Sequence, residues 1–229
     1  MGPYFRFVLI SSLLVFSATP SRAISDQEEL IQKAHITAQK ILQSENIGSA
    51  AKNLLAQAKG VLIFPNLYKG AMVFGAGGGN GVLMAKGNGD RWSYPAFYFL
   101  GSGSFGLQFG LQSAEVMLLI MSERALFAVL NQMVKLGADV NAAVGPYGVG
   151  AKAATTTNLG ADIFTYSLNH GAFAGFSVEG AMIYPRIDWT TAYYGDRAAN
   201  SKTVVVEGKF SNIHADELRK SLILQPPLK

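Results

Sequence analysis

The sequence predicts an α+β fold: a curved or barrel-like, mainly antiparallel β-sheet with N-terminal helices and a few further helices packed outside it. Three observations lead there. Up to Lys59 the apolar residues recur at helical spacing. From Gly60 onward short apolar runs follow one another across turn-sized gaps, without the long crossovers that parallel strands need. Most of the 25 glycines fall between Gly60 and Gly180, where they read as bends, bulges or close backbone packing. A chain of 229 residues that is 49% hydrophobic can fill a core, which excludes wholesale disorder. The length suits one domain of ordinary size, or one with a helical extension.

The first segment, 1–23, reads as a secretory signal peptide. Arg6 gives a positive start, Phe7 to Phe16 is apolar, Pro20 breaks the run, and Ser21-Arg22-Ala23 offers small residues for cleavage. Ten apolar residues span only ~15 Å as a helix, about half the thickness of a hydrocarbon core. The expectation is a periplasmic or secreted protein cleaved near Ala23. Without Arg6 and Arg22 the formal charge of +4 falls by two, which removes the main support for nucleic-acid binding. The absence of cysteine excludes disulfides, thiolate metal sites and a thiol nucleophile. The expected division is a signal peptide at 1–23, a helical segment at 24–59 packed on the domain, and a glycine-rich β domain with a C-terminal helix at 60–229.

Ser25 followed by Glu28 forms a capping box ahead of a helix whose inward stripe is Ile31, Ala34, Ala38, Ile41 and Leu42, with Glu28, Glu29, Lys33 and Lys40 off that stripe. Asn46-Ile47-Gly48 interrupts it, and a second helix is expected from Ser49 to Lys59. Val61 to Phe64 reads as a strand ended by Pro65, and Ala71 to Ala76 as one leading into Gly77-Gly78-Gly79-Asn80-Gly81. Val82 to Lys86 and Trp92 to Leu100 flank a hairpin turn at Asn88-Gly89. Phe105, Leu107, Phe109 and Leu111 alternate with polar or small residues, and Glu115 to Met121 continues as a buried strand. Ser122 caps a helix to about Gln132. Lys135 to Ala154 is small and apolar, turning at Gly145-Pro146. Ala161 to Leu168 and Ala172 to Ile183 read as strands joined by a turn at Asn169-His170-Gly171. Asp188 to Tyr194 reads as a short helix ended by Gly195, and Asn212 to Leu224 as a terminal one.

No motif for catalysis stands out. Gly101-Ser102-Gly103-Ser104-Phe105-Gly106 matches the dinucleotide fingerprint, but the alternation after it is a strand, and the fingerprint requires a helix there. No nucleophile elbow occurs, and His35, His170 and His214 are far apart without metal-ligand spacing. Glu115, Asp139, Asp162 and Glu179 each sit alone in apolar surroundings. Lys69, Lys86, Arg124 or Lys152 can pair them as structural ion pairs. The expectation is a protein with no catalytic residues, no cofactor, no metal and no nucleotide.

Lys59-Gly60-Val61-Leu62-Ile63-Phe64-Pro65, the glycines Gly70 to Gly81, Trp92-Ser93-Tyr94-Pro95 and Gly101 to Gly110 together resemble the SYLF (Ysc84-like) lipid-binding domain. The likeness continues through Ser122-Glu123-Arg124-Ala125-Leu126, Leu136-Gly137-Ala138-Asp139, Ala143 to Pro146, Gly175 to Ala181 and Tyr193-Tyr194-Gly195. It spans roughly 34–195 and looks like the exported bacterial branch. The resemblance implies lipid or membrane-surface binding, described for eukaryotic members with phosphoinositides and, in fungi, with actin. It supplies no catalytic residues.

The expected role is therefore a non-enzymatic protein of the cell envelope that binds phospholipid or a membrane surface. Charge geometry nominates Lys33, Lys40, Lys52, Lys59 and Lys69 as headgroup contacts, because Lys33/Lys40 and Lys52/Lys59 are seven apart on their helices. The alternatives are an envelope structural module that binds a protein partner and, third, an outer-membrane barrel. The two leading helices and the Pro-Pro-Leu-Lys end oppose the barrel.

Overall fold

The computed structural model describes residues 24–71, 74–105, 110–145, 160–170, 178 and 180–224. The signal-peptide segment, the alternation over 106–109, the turn beyond Gly145, and most of the strand expected from Ala172 lie outside these residues.

Helix α1 (Asp26–Gln43) starts with the predicted capping box: Ser25 Oγ accepts from Glu28 N at 3.2 Å, and Ser25 N donates to Glu28 Oε2 at 3.0 Å. Its predicted stripe is buried. Glu28, expected off the stripe, is buried as well, because His214 from the C-terminal segment closes over it with Nε2 3.1 Å from Oε1. Helix α2 covers Gly48–Gln57. Ser122 caps α3 (Glu123–Asn131) by accepting from Ala125 N, as its position predicts. Helix α4 (Ile187–Tyr194) ends at Gly195, whose φ of 68° forms a left-handed cap. The expected terminal helix is shorter: a 3₁₀ turn at Ile213–Ala215 leads into α5, Asp216–Ser221.

Eight strands form one curled, open sheet: β1 (Gly60–Ala71), β2 (Phe74–Ala85), β3 (Ala96–Phe105), β4 (Gly110–Ile120), β5 (Val134–Lys135), β6 (Ala142–Val144), β7 (Ile163–His170) and β8 (Met182–Pro185). Their order is β5-β8-β3-β2-β1-β4-β7-β6, antiparallel except for the β6–β7 pair. Both faces of its central part are buried. Leu62, Phe64, Leu83, Tyr98, Leu118 and Ile120 meet α3 and Val204-Val205 on one side. Val61, Ile63, Val82, Met84, Phe97 and Leu119 meet α1, α2 and α5 on the other. Burial on both faces explains why these strands read as continuous apolar runs instead of alternating ones.

Four strand expectations change. Pro65 does not end β1. The strand passes through it with a bulge, since the register shifts between Ile63 and Tyr68 against β2 and between Phe64 and Leu67 against β4. A bulge is one of the few interior sites that tolerate a residue without an N–H. The segment 77–81 does not separate two strands but lies in the interior of β2, paired with Leu100 to Ser102 and neighbours on β3. There the β1 backbone comes so close that a Cβ on Gly79 would stand 2.0 Å from the Asn66 carbonyl oxygen. β3 begins at Ala96, not Trp92. Finally, Asn169 and His170 are not a turn but the end of β7, paired with Ala114 and Ser113 of β4, while β8 joins β3 on the far side of the sheet. The predicted turn at Asn88-Gly89 is present as a 3₁₀ turn, with the positive φ carried by Gly89 and Asp90.

Trp92 is 2% exposed and donates from Nε1 to the Leu222 carbonyl at 3.0 Å, tying the segment after α5 across the helical layer. Nearby aromatic groups are deeply set. Tyr98 Oη donates to the Val129 carbonyl at 3.2 Å, and Tyr194 Oη to the Pro95 carbonyl at 2.8 Å. Burial raises the phenol pKa of Tyr98, Tyr193 and Tyr194 well above the ordinary 10.0. Below pH 10.0 folded and unfolded chains both keep these protons, so that stabilisation is intact. Above it the unfolded chain ionises first, and stability falls with each further rise in pH. Denaturant midpoints measured at stepped alkaline pH test this, and Tyr98→Phe is expected to flatten the decline.

Candidate functional site

A surface depression follows the outer side of α2. A groove of about 900 Å³ lies between α1, α2 and the segment after α5, with Lys52, Ala56, Lys220, Ile223 and Leu224 in its wall. A smaller hollow of about 200 Å³ shares Ala56, Ile223 and Leu224 with it and adds Lys86 and Asp90. A third, of about 560 Å³, shares Ala56, Lys86 and Asp90 and carries on past Lys59 and Glu123 to Phe127 and Val206. Through these shared residues the three form one trough centred on Ala56.

Local sequence explains the lining. Lys52 and Ala56 are four apart, so they fall on one line of α2. Lys59 follows directly on the helix end. In α3 the buried residues Ala125, Leu126, Val129 and Leu130 turn Phe127 outward. The π turn at Lys202–Val206 buries Val204 and Val205 and exposes Val206. Phe127 is 52% exposed, Val206 49% and Ile223 49%, an unusual degree for large apolar side chains grouped along one depression.

Four ammonium groups accompany them, against the carboxylates of Asp90 and Glu123 in the same lining. Lys86 Nζ donates to the Ala56 carbonyl at 2.7 Å, satisfying the exposed end of α2, and pairs with Asp90 at 2.8 Å. Lys59 is 3.7 Å from Glu123 with both side chains well solvated, so that pair constrains little. Lys220 pairs with Glu217 at 2.8 Å, and that hydrogen bond raises its pKa. Lys52 has no ion pair or hydrogen bond among the described residues. The arrangement offers two loosely held cations, Lys52 and Lys59, beside exposed apolar groups.

The five nominated lysines do not gather in one place. Lys52 and Lys59 line the trough. Lys33 lies in a separate cleft near the start of α1, 2.6 Å from Glu29, whose hydrogen bond raises its pKa. Lys40 is committed to Glu115, 2.7 Å away on β4, which also accepts from the Thr37 hydroxyl at 2.8 Å. Lys69 lies on β1 opposite Gly77 and Gln112, and its side chain lies outside the described residues. Sequence reasoning missed Lys220, Phe127, Val206 and Ile223 and considered Lys86 only as an ion-pair partner. The exposed Phe127 next to buried neighbours is the signal that a helical-wheel reading of α3 would have offered.

The isolated acids resolve as structural pairs with partly different partners. Glu115 takes Lys40, which had not been considered for it. Asp162 takes the expected Arg124, the Ser122 hydroxyl at 2.7 Å and Asn141 N at 3.3 Å. Asp139 is exposed, contrary to expectation, and accepts from Lys135 N at 2.7 Å. Glu179 lies outside the described residues, as do the side chain of His170 and Lys152. Among the described residues no three His, Cys, Asp or Glu side chains cluster as a metal site. No helix there is long and apolar enough to cross a membrane. Gly101 to Phe105 belong to β3 and open no helix, so the glycine motif has no amide cradle for a pyrophosphate.

Comparison with known proteins fits this picture of a binding surface. A family model described as "Las17-binding protein actin regulator", Ysc84, matches residues 101–223. The chain is 27% identical over 171 residues to the SH3 domain-containing YSC84-like protein 1 of Xenopus laevis, covering 74% of this chain and 51% of that one. It is 31% identical over 150 residues to Protein YSC84 of Saccharomyces cerevisiae, covering 64% and 32% respectively. LAS seventeen-binding protein 3 of the same yeast gives 30% over 147 residues, 63% of this chain and 32% of its own length. The matched part is thus about half to a third of these relatives, one of which is named for binding. With the helix-covered sheet and its glycine-rich strands, the match establishes that the chain belongs to the Ysc84 (SYLF) family.

Proposed function

We propose that this chain is a non-catalytic binding domain of the bacterial cell envelope that adsorbs to anionic phospholipid through the trough. The observation that carries the reading is the grouping of exposed Phe127, Val206 and Ile223 with the ammonium groups of Lys52 and Lys59. Apolar side chains gain by entering the interfacial region, while each lysine near an anionic surface contributes electrostatically and in a salt-dependent way. The leader-like segment 1–23 supports export, and N-terminal sequencing of the mature protein tests cleavage near Ala23.

Cosedimentation of residues 24–229 with phosphatidylglycerol vesicles is the test. Binding is expected at low salt and weakens as salt rises. Lys52→Ala and Lys59→Ala are each expected to reduce it about fivefold. Absence of binding to anionic vesicles at low salt overturns the reading. A second reading, a protein partner seated on the same trough, is favoured by the names of the yeast relatives, one of them a LAS seventeen-binding protein. It is the reading that stands if one stoichiometric envelope protein is recovered and vesicles are ignored.

A further inference from the structure

A second site lies near the other end of α1 and uses none of the trough. The bulge in β1 inserts one extra residue against both β2 and β4, and this irregularity contains Pro65 and Asn66. Bulges re-aim side chains, and here the bulge brings Asn66 beside Gly79 and Asn80 of β2. The result is a cleft of about 390 Å³, within the range of pockets that hold small organic ligands. Tyr68, Trp189 and the Glu29–Lys33 pair complete its wall.

Its polar groups are oriented in advance. Arg186 is held by both carboxylate oxygens of Asp188, at 2.9 and 2.7 Å, and donates from Nη1 to Asn80 Oδ1 at 2.9 Å. With that oxygen occupied, Asn80 has its NH₂ group left to donate. The same guanidinium lies 4.8 Å from the centre of the Trp189 ring and steadies it. Asn66 and the Tyr68 hydroxyl have no hydrogen-bond partner among the described residues. Asn80 is also directly opposite Phe99, and Phe99 opposite Tyr184, so the three side chains form a row on one face of the sheet. The two rings lie 5.3 Å apart and make an aromatic shelf next to the cleft.

The chemistry selects a ligand class. An anion is disfavoured, because Lys33 is already paired with Glu29 and the Asp26 carboxylate adds a further negative charge. A purely apolar ligand would strand the amides without partners. Groups that both donate and accept, set beside aromatic ring faces, match the hydroxyls and the C–H face of a sugar ring. We propose that the cleft binds a neutral saccharide, with Asn66 and Asn80 exchanging hydrogen bonds with ring hydroxyls, Trp189 and Tyr68 covering a sugar face, and the Phe99–Tyr184 shelf receiving a following unit. The sugar is either a soluble oligosaccharide or the headgroup of a neutral glycolipid.

Tryptophan emission reads the site directly, because Trp92 is 2% exposed and Trp189 borders the cleft. Residues 24–229 are titrated with neutral oligomers of glucose and of N-acetylglucosamine, and separately with neutral vesicles containing or lacking a galactosyl lipid. A saturable emission change with a soluble oligomer, or with the glycolipid vesicles alone, is the expected result, and the responding arm identifies the source. Asn66→Ala and Tyr68→Ala are each expected to weaken it about tenfold with unchanged circular dichroism. No emission change in either arm, or a change that survives both Asn66→Ala and Tyr68→Ala, overturns the proposal. Neither result bears on the trough, which is read by anionic vesicles.

Discussion

Gly79→Ala is expected to lower the unfolding free energy by about 3 kcal/mol, the upper part of the usual range for overpacking. The added Cβ would stand 2.0 Å from the Asn66 carbonyl oxygen and 3.0 Å from Leu67 Cδ2. The first of these neighbours is backbone, fixed by the bulge of β1 between β2 and β4, so it cannot swing aside as a flexible side chain would. Gly160→Ala is the control, since nothing lies within 4 Å of its added carbon. Urea denaturation of both variants checks the pair. A Gly79→Ala chain as stable as the original would mean that the two strands do not approach as described.

Lys40→Met is expected to cost about 2 kcal/mol of stability and to leave vesicle binding unchanged. Glu115 is 7% exposed and its Oε1 receives the Lys40 ammonium at 2.7 Å. Removing a charged donor from a buried carboxylate is more damaging than losing a surface ion pair. The figure stays below the full range for buried pairs because the Lys40 side chain is half exposed and screened. Denaturant midpoints and cosedimentation, measured on the same preparation, separate the two outcomes. Loss of vesicle binding with no loss of stability would return Lys40 to the group of headgroup contacts.

That contrast shows how far the sequence carried. Local features were readable where the determinants were local. Ser25 and Glu28 capped α1, Ser122 capped α3, and Gly195 closed α4 as their positions predicted. The strand core was readable because residues such as Val61 to Phe64 are buried on both faces and form an unbroken apolar run. Pro65 and the run from Gly77 to Gly81 misled for one shared reason. Each residue type usually marks the end of a strand, and here the bulge makes both compatible with its interior. The partnership of β8 with β3 was hidden because pairing between distant segments leaves no periodic trace in either.

The placement of the nominated lysines was hidden for a similar reason. Lys33 and Lys40 share one side of α1, but seven residues separate them by about 10 Å along the helix axis. Lys33 pairs within its own helix, with Glu29, whereas Lys40 is taken by Glu115 of β4. Lys52 and Lys59 reached one trough only because α3 and the segment after α5 supply the rest of it. A surface assembled from six separated stretches of chain is visible as residue types, not as spacing.

The bond from Trp92 to Leu222 joins groups 130 residues apart, and His214 closes over Glu28 near the beginning of the chain. The order of synthesis therefore matters. A nascent chain halted before residue 214 holds every strand yet lacks the latch on its first helix, leaving Trp92 and the carboxylate of Glu28 uncovered. Such closure over long sequence separation slows folding and makes its completion depend on a segment that emerges after the sheet strands it helps to cover.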